Sequence, residues 1–378
     1  MNAITVRPVL NKADKITFLK VPFEIYADDK NYVAPLFLER LEHLDLKKNP
    51  YFQHAEAQLF IAEKNGKPVG RISAQIDRLH LERYKDDCGQ FGFLESINDP
   101  QVFAALFKSA EDWLRAKSMK RVRGPFSFSI NDESGLLIDG FDTPANMFMG
   151  HALPYYAQQV EKNGFAKCKD LLAYVRDMRE PLPKILDRIY QRGAASGDVK
   201  IRPINKSDIK NEIRIIMDIF NDAWSNNWGY IPFTEAELNL LATNLKLLVP
   251  SQYGQIAYYK GEPAAFMVAL PNLNEWIAGL QGKILPTGVF KLIPKLISKK
   301  SRTIRVPLMG VRKKLQDGAM GSVLSLGVIK SVYDFARERG VEEVEMSWIL
   351  EDNHRMRHIL ETSGSRVYKT YRIYEKSL

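Results

Sequence analysis

Residues 306–324, VPLMGVRKKLQDGAMGSVL, hold the groups in this chain best suited to gripping a phosphate. An apolar run leads into a basic turn, and an apolar-periodic run follows. Between Val311 and Gly321, Lys313 and Lys314 supply positive charge, while Gly318, Ala319 and Gly321 let a ligand approach the backbone. Ser322 then opens a helix, whose first N–H groups have no intrahelical partner and favour an anion. The turn is neither GxxxxGK[ST] nor GxGxxG, which excludes a P-loop and a Rossmann turn. Its bland alternative is an ordinary basic turn at a helix start.

The rest of the composition narrows the chemistry. With 378 residues, 45% apolar and 26% charged, the chain has the make-up of a globular protein with one large core or two domains. No run of 18 uncharged apolar residues occurs, and MNAITVRPVLNKADK lacks a signal-peptide core, so the expected location is the cytoplasm. Cys88 and Cys168 stand far apart, and His354 and His358 lack further ligands, so no metal is expected. The net charge of +9 fits a phosphorylated cofactor or an anionic membrane. Nucleic acid is disfavoured, because no RNP strand pair, zinc finger or basic reading helix is present. Residues 284–300, ILPTGVFKLIPKLISKK, mix greasy side chains with four lysines. Such a segment suits an amphipathic insertion resting on an anionic bilayer or covering an apolar channel, and equally a charged loop with one buried side.

These groups must be positioned by a repeating order of elements. In the first half, residues 57–62 and 68–76 flank Asn65-Gly66, a strong hairpin signal. Asp99 caps a helix with Val102, Phe103, Leu106, Phe107, Ala110 and Leu114 on one side. The second half repeats the pattern, with a hairpin at Lys260-Gly261-Glu262 and a long helix over 322–339 that Gly340 ends. Val6-Arg7-Pro8 is echoed by Ile201-Arg202-Pro203, and EKNGKPVG by YKGEPAAF. Two copies of one unit are therefore expected, at residues 1–180 and 199–378, joined by a linker at 181–198 rich in Pro, Gly, Ser and Ala. A single large domain is the competing organisation.

The strand order, the hairpin and the turn resemble the GNAT superfamily of acyltransferases, whose pyrophosphate turn reads Gln/Arg-x-x-Gly-x-Gly/Ala. Here the matching residues are Gln316 to Gly321, with Ala319 where the family has its first glycine. The resemblance implies an α/β fold (α+β, mixed sheet), a tandem duplicated GNAT-like arrangement. It implies acyl-CoA or acetyl-CoA as co-substrate, held by Val311, Lys313, Lys314, Gln316, Gly318, Ala319, Gly321 and Ser322. The first copy has GFLESINDPQVF at the matching place, with Glu95 and Asp99 and no Lys or Arg. Acidic groups repel a pyrophosphate, so the first copy is expected to be degenerate and to build part of the acceptor pocket.

Direct acyl transfer needs a base, because an ammonium cannot attack a thioester. The candidates are Glu345, Glu351 with its neighbour Asp352, and Glu133 within Asn131-Asp132-Glu133. Asn353 matches a family asparagine at the start of the next helix. The family's tyrosine acid falls on Leu360, so either Tyr368, Tyr371 or Tyr374 replaces it or the CoA thiolate leaves unassisted; Tyr371 and Tyr374 are oddly spaced and expected on opposite strand faces. The stretches 123–144, RGPFSFSINDESGLLIDGFDTP, and 224–232, WSNNWGYIP, suit either a lid over a substrate with an apolar tail or anchoring between domains. Together with SWILEDN and YKTYRIYEK they resemble a group of bacterial double-GNAT proteins linked to ceramide synthesis. That resemblance implies N-acylation of a small-molecule or lipid amine, such as a sphingoid amine; the segment at 284–300 and the cationic surface would suit peripheral membrane contact at the inner face. An aminoacyl-tRNA-dependent transferase and a non-catalytic membrane-docking protein remain the alternatives.

Overall fold

The structure, a computed structural model describing residues 4–195, 197–286 and 288–378, runs through one series of elements twice. The first series is β1 (Ile4–Pro8), α1 (Lys12–Ile25), α2 (Phe37–His43), β2 (Ala55–Lys64), β3 (Lys67–Asp77), α3 (Arg78–Tyr84), β4 (Cys88–Ser96), α4 (Pro100–Ala116) and β5 (Arg121–Gly124). Short strands β6 (Phe126–Ser127), β7 (Glu133–Ser134) and β8 (Leu136–Asp139) follow, then α5 (Tyr155–Lys162) and β9 (Ala166–Asp177). After α6 (Lys184–Ala194) come β10 (Val199–Pro203), α7 (Ile209–Trp224), α8 (Glu235–Leu248), β11 (Gly254–Tyr259) and β12 (Glu262–Pro271). The chain then forms α9 (Leu273–Ile277), α10 (Gly288–Ser298), β13 (Thr303–Val311), α11 (Lys313–Gln316), α12 (Ala319–Glu338), β14 (Glu343–Leu350), α13 (His354–Thr362) and β15 (Arg366–Ser377). The α/β class and the duplication expected from sequence are both present.

Local signals explain most of these boundaries. Asn65 and Gly66 take φ of 54° and 75°, and Lys260 and Gly261 take 52° and 83°. Two consecutive positive φ values make the turn whose twist matches its flanking strands. The Asp99 side chain accepts the Gln101 N–H and caps α4, whose six expected apolar residues are all buried against the sheet. Each of the five larger side chains contributes about 1.5–3 kcal/mol on leaving water. Gly340, at φ 75°, ends α12.

A thirteen-stranded sheet joins both halves, in the order β1-β2-β3-β4-β5-β15-β9-β14-β13-β12-β11-β10, with β8 alongside β15. The last strand of each series has crossed over. β15 pairs with β5 of the first half (Tyr374 opposite Gly124, Ser377 opposite Arg121), and β9 pairs with β14 of the second (Glu343 opposite Asp177). The two crossed strands pair with each other in the middle. The proposed division into 1–180 and 199–378 is therefore one of sequence repeats, which the hydrogen-bonding of the sheet crosses.

Residues 181–198, read from composition as a linker, contain α6. That helix lies so close to α12 that a Cβ at Gly193 would sit 2.0 Å from Val323 Cγ2, and one at Gly327 would sit 2.7 Å from Tyr190 Cε2. The small residues that suggested a linker also allow close packing there. Tyr371 and Tyr374, expected on opposite faces, are both fully buried in the first-half core. A bulge between Ile373 and Tyr374 breaks the simple alternation there. Expressed alone, residues 1–180 should lack a cooperative thermal transition by circular dichroism and regain it on mixing with residues 181–378. Independent cooperative unfolding of the first piece would show that the strand exchange is dispensable.

Candidate active site

The basic turn is more tightly closed than its sequence suggests. The Arg312 N–H donates to Ala264 O, the Lys313 N–H to Asp222 Oδ2 (2.8 Å), and those of Leu315, Gly318 and Gly321 to carbonyls within the turn. The side chains are engaged as well. Lys313 Nζ donates to Ser225 Oγ, Lys314 Nζ pairs with Glu262, and Gln316 Nε2 donates to Val311 O. Gly321 has its backbone against α11, where an added Cβ would lie 2.3 Å from Leu315 O. Gly318, at the N-cap of α12, is uncrowded: a Cβ there would be in ordinary contact with Leu315 O at 3.8 Å. Ala319 is helical, so its side chain is tolerated where the family has glycine. By helix geometry the first N–H groups of α12, at Ala319 and Met320, have no intrahelical acceptor and remain for an anion. A cavity of about 290 Å³ adjoins the turn, lined by Asp222, Glu262, Pro263, Arg312 and Lys314.

β13 and β14 run parallel and pair from Thr303 opposite Glu343 to Val306 opposite Met346; beyond that point each pairs only with its other neighbour. At the apex of this opening stands a buried polar cluster. Glu345 accepts from Ser347 Oγ (2.5 Å) and from the Tyr368 hydroxyl, and Arg305 Nε lies 3.5 Å from its carboxylate. Arg305 also donates to Ser347 Oγ (2.9 Å) and to Met147 O of the first half (2.7 Å). Burial lowers the Arg305 pKa and raises those of Tyr368 and Tyr371, with the Glu345 charge raising both tyrosines further. Two buried donors here, Tyr371 Oη and Trp348 Nε1, have no protein partner among the described residues.

Glu133, on β7, is the first-half contribution. It pairs with Arg40 of α2, and its charge acts on both Arg305 and Tyr371. In the first half, β4 and β5 part in the same way after Gln90 and Arg123. That gap is filled: a Cβ at Gly92 would lie 1.7 Å from Phe126 O, so the β6–β7 segment occupies it. Beside it is a cavity of about 100 Å³ whose walls include Phe23, Tyr32, Phe37, Phe93 and Phe148, with Arg40, Arg71, Glu95 and Glu133. Glu95 accepts from Tyr26 (2.5 Å) and Tyr156 (2.8 Å), and burial pushes its carboxyl up to about 7.

Of the sequence candidates, Glu345, Glu133 and Tyr371 come together. Glu351 is held by Lys167 (2.6 Å) and the Asp170 N–H, and Asn353 caps α13 by accepting the Met356 N–H. Asp352 pairs with Lys169. Arg305 and Ser347 escaped notice because each sits singly in an apolar run; only the register that sets Arg305 opposite Glu345 reveals them. Residues 224–232 serve as anchoring between halves. Tyr84 donates to Tyr230 O and Asn131 to Ile231 O across the two halves, and within the second half Trp224 Nε1 donates to Met309 O on β13. One group of possible metal ligands occurs among the described residues, His80, Asp86 and Cys88. Burial pushes the Cys88 thiol up to about 12, and Arg121 and Arg123 already face Asp86, so the trio is a packed polar knot.

No protein-family model matches the chain. It is 45% identical over 378 residues to Protein YghO of Escherichia coli strain K12, spanning 99% of this chain and 95% of that protein. It is 44% identical over 376 residues to bacterial ceramide synthase of Caulobacter vibrioides, spanning 99% and 98%. Among solved structures, a tandem GNAT protein from the clavulanic acid biosynthesis pathway superposes with a TM-score of 0.60 at 11% identity, covering 99% of this chain and 98% of that one. A GCN5-related N-acetyltransferase from Sphaerobacter thermophilus gives 0.55 at 12% identity, covering 99% and 95%. The architecture is thus the tandem GNAT fold.

Glu95 has a measurable signature. Its carboxyl titrates near 7 when folded and near 4.5 when unfolded, so the folded state binds the extra proton between those values. Stability from this group is complete below pH 4.5 and is lost as pH rises towards 7. In urea unfolding, Glu95→Gln should reduce the loss of stability between pH 5 and pH 8 by about 2 kcal/mol. Parallel pH profiles for the two proteins would refute the assignment.

Proposed function

The chain belongs to the family of Protein YghO and bacterial ceramide synthase, and we propose that it transfers a fatty acyl group from acyl-CoA to the amine of a lipidic acceptor. The observation that carries this reading is Glu345, buried at the apex of the β13–β14 opening beside Arg305, Ser347, Tyr368 and the orphan donors of Tyr371 and Trp348. A thioester entering that opening would meet Glu345 at its apex.

Each group has a part. Glu345 takes a proton from the acceptor ammonium, with Ser347 and Tyr368 fixing the carboxylate and Glu133 adding negative charge that draws the cation in. The amine nitrogen then attacks the carbonyl carbon directly, without a covalent enzyme adduct. Backbone N–H groups of β13 beyond Val306 polarise the carbonyl, and Tyr371 Oη would pass its proton to the departing thiolate as it takes the second proton from the amide nitrogen, so that no tyrosinate is left behind. The start of α12, at Gly318, Ala319 and Met320, receives the diphosphate. Glu351 and Asn353 hold the fold around β14 and α13. The aromatic cavity with Glu95 and Glu133 suits an acceptor that joins an ammonium to an apolar chain. Its place in the first half agrees with a degenerate copy whose own gap is filled.

Purified protein given palmitoyl-CoA and a long-chain amino alcohol should release CoA only when both are present. Glu345→Gln should lower kcat by about 10²- to 10⁴-fold with acyl-CoA affinity unchanged, the usual weight of a general base. Gly318→Trp, which covers the first amides of α12, should weaken CoA binding at least tenfold by calorimetry without changing the melting temperature. Failure to bind CoA and to release it would leave the protein as a non-catalytic member of its fold.

A further inference from the structure

Helix α10 turns a greasy face to solvent. Phe290 is 76% exposed, Ile293 47% and Ile297 78%, and Leu285 just before the helix is 74% exposed. Positions 290, 293 and 297 recur at helical spacing and so form one stripe. The opposite side is anchored, with Leu292 and Leu296 packed on Trp276 and Leu280. Trp276 Nε1 donates to Lys300 O, and Lys295 Nζ to Glu275 O, which ties the helix to α9 and to the start of β13. The stripe is thus held outward by a fixed support and does not belong to a loose segment.

Its surroundings are strongly basic. Lys283, Lys291, Lys299 and Lys300 flank the stripe, and none of them forms an ion pair among the described residues. No acidic residue occurs between Glu275 and Asp317. Lys206 lies near enough to Lys299 for the two to depress its pKa, after burial, and Arg339 donates to Ser298 O at the end of the helix. Cations crowded around exposed Phe, Ile and Leu repel one another unless an anionic surface meets them. A protein partner would need both a greasy groove and many carboxylates; a bilayer with anionic headgroups supplies the two together.

The support also borders the aromatic cavity. Gly282 O accepts the Phe37 N–H (2.9 Å), and a Cβ at Gly282 would lie within 2.9 Å of both Phe37 and Phe23, two walls of the cavity. Asn274, at the start of α9, lines the same cavity. The greasy stripe and the cavity are therefore joined by a few residues of one segment.

We propose that α10, with Leu285, Phe290, Ile293 and Ile297 inserted and the lysines at the headgroups, docks this protein on an anionic bilayer and sets the mouth of the acceptor cavity against it. The docking does not depend on the acyl-transfer reading; only its purpose, delivery of a lipidic amine, rests on that reading. The test uses the full chain and vesicles of phosphatidylcholine with or without phosphatidylglycerol. The protein should co-sediment with the anionic vesicles, release in high salt, and bind neutral vesicles weakly. Phe290→Asp with Ile297→Asp should cut binding at least tenfold, as should Lys291→Glu with Lys299→Glu, with melting temperature and CoA binding unchanged. Absence of wild-type binding, equal binding to neutral vesicles, or full binding by either double variant would overturn the proposal. CoA release measured on the same preparations, with a soluble short-chain amine, separates a failure of docking from a failure of catalysis.

Discussion

Everything in this molecule depends on the antiparallel pairing of β9 with β15. Each of these strands closes the sheet of the half it does not belong to in sequence, and in the centre they close on each other. Unpaired backbone groups in a sheet interior are costly, so neither half is complete without its partner's strand. The exchange also fixes chemistry. Tyr368 and Tyr371 ride on β15 to the apex of the β13–β14 opening, and Lys369 between them, fully buried, donates to Thr143 O and holds the first-half loop. The polar cluster assembled this way has Glu345 from one half and feels the charge of Glu133 from the other.

Duplication has left two parallel openings with opposite fates. In the first, Phe126 and its neighbours lie across the gap and Gly92 leaves just enough room for their backbone. The same β6–β7 hairpin that closes this gap presents Glu133 towards the other half. Closure of one gap and the placing of Glu133, whose charge reaches Arg305 and Tyr371, thus come from one hairpin. The aromatic cavity next to it keeps Glu95 in surroundings dry enough to hold its proton near neutral pH.

What was legible in the sequence was local. Asn65-Gly66 and Lys260-Gly261 set hairpins through their own dihedral angles, Asp99 and Gly340 bounded helices, and the apolar stripe of α4 needed no knowledge of its partner. The greasy lysine-rich segment at 284–300 was visible for the same reason. The strand exchange was not, because an order of elements does not say which edge the last strand joins. Compositional cues misled where packing reversed their meaning. Gly193 looked like part of a linker and is a contact point between helices. Lys313 and Lys314 looked like free charges, yet Asp222 takes the Lys313 N–H and Glu262 the Lys314 ammonium. Carboxylates far away in sequence answer the basic turn, and no local pattern announces them.

Buried charge supplies the strongest physical reason to place chemistry at the β13–β14 apex. Taking Arg305 and Glu345 out of water is expensive, and a pair so placed seldom adds stability over an apolar replacement. The fold limits the cost by giving Arg305 the Ser347 hydroxyl and Met147 O, and by giving Glu345 two hydroxyl donors. Having satisfied those groups, it leaves Tyr371 Oη and Trp348 Nε1 without acceptors among the described residues. An unmet buried donor costs about 1–3 kcal/mol, a loss the same strands avoid elsewhere along their length. Two such donors lie next to a buried carboxylate at one of the two places where parallel strands part, and each is open to an incoming acceptor.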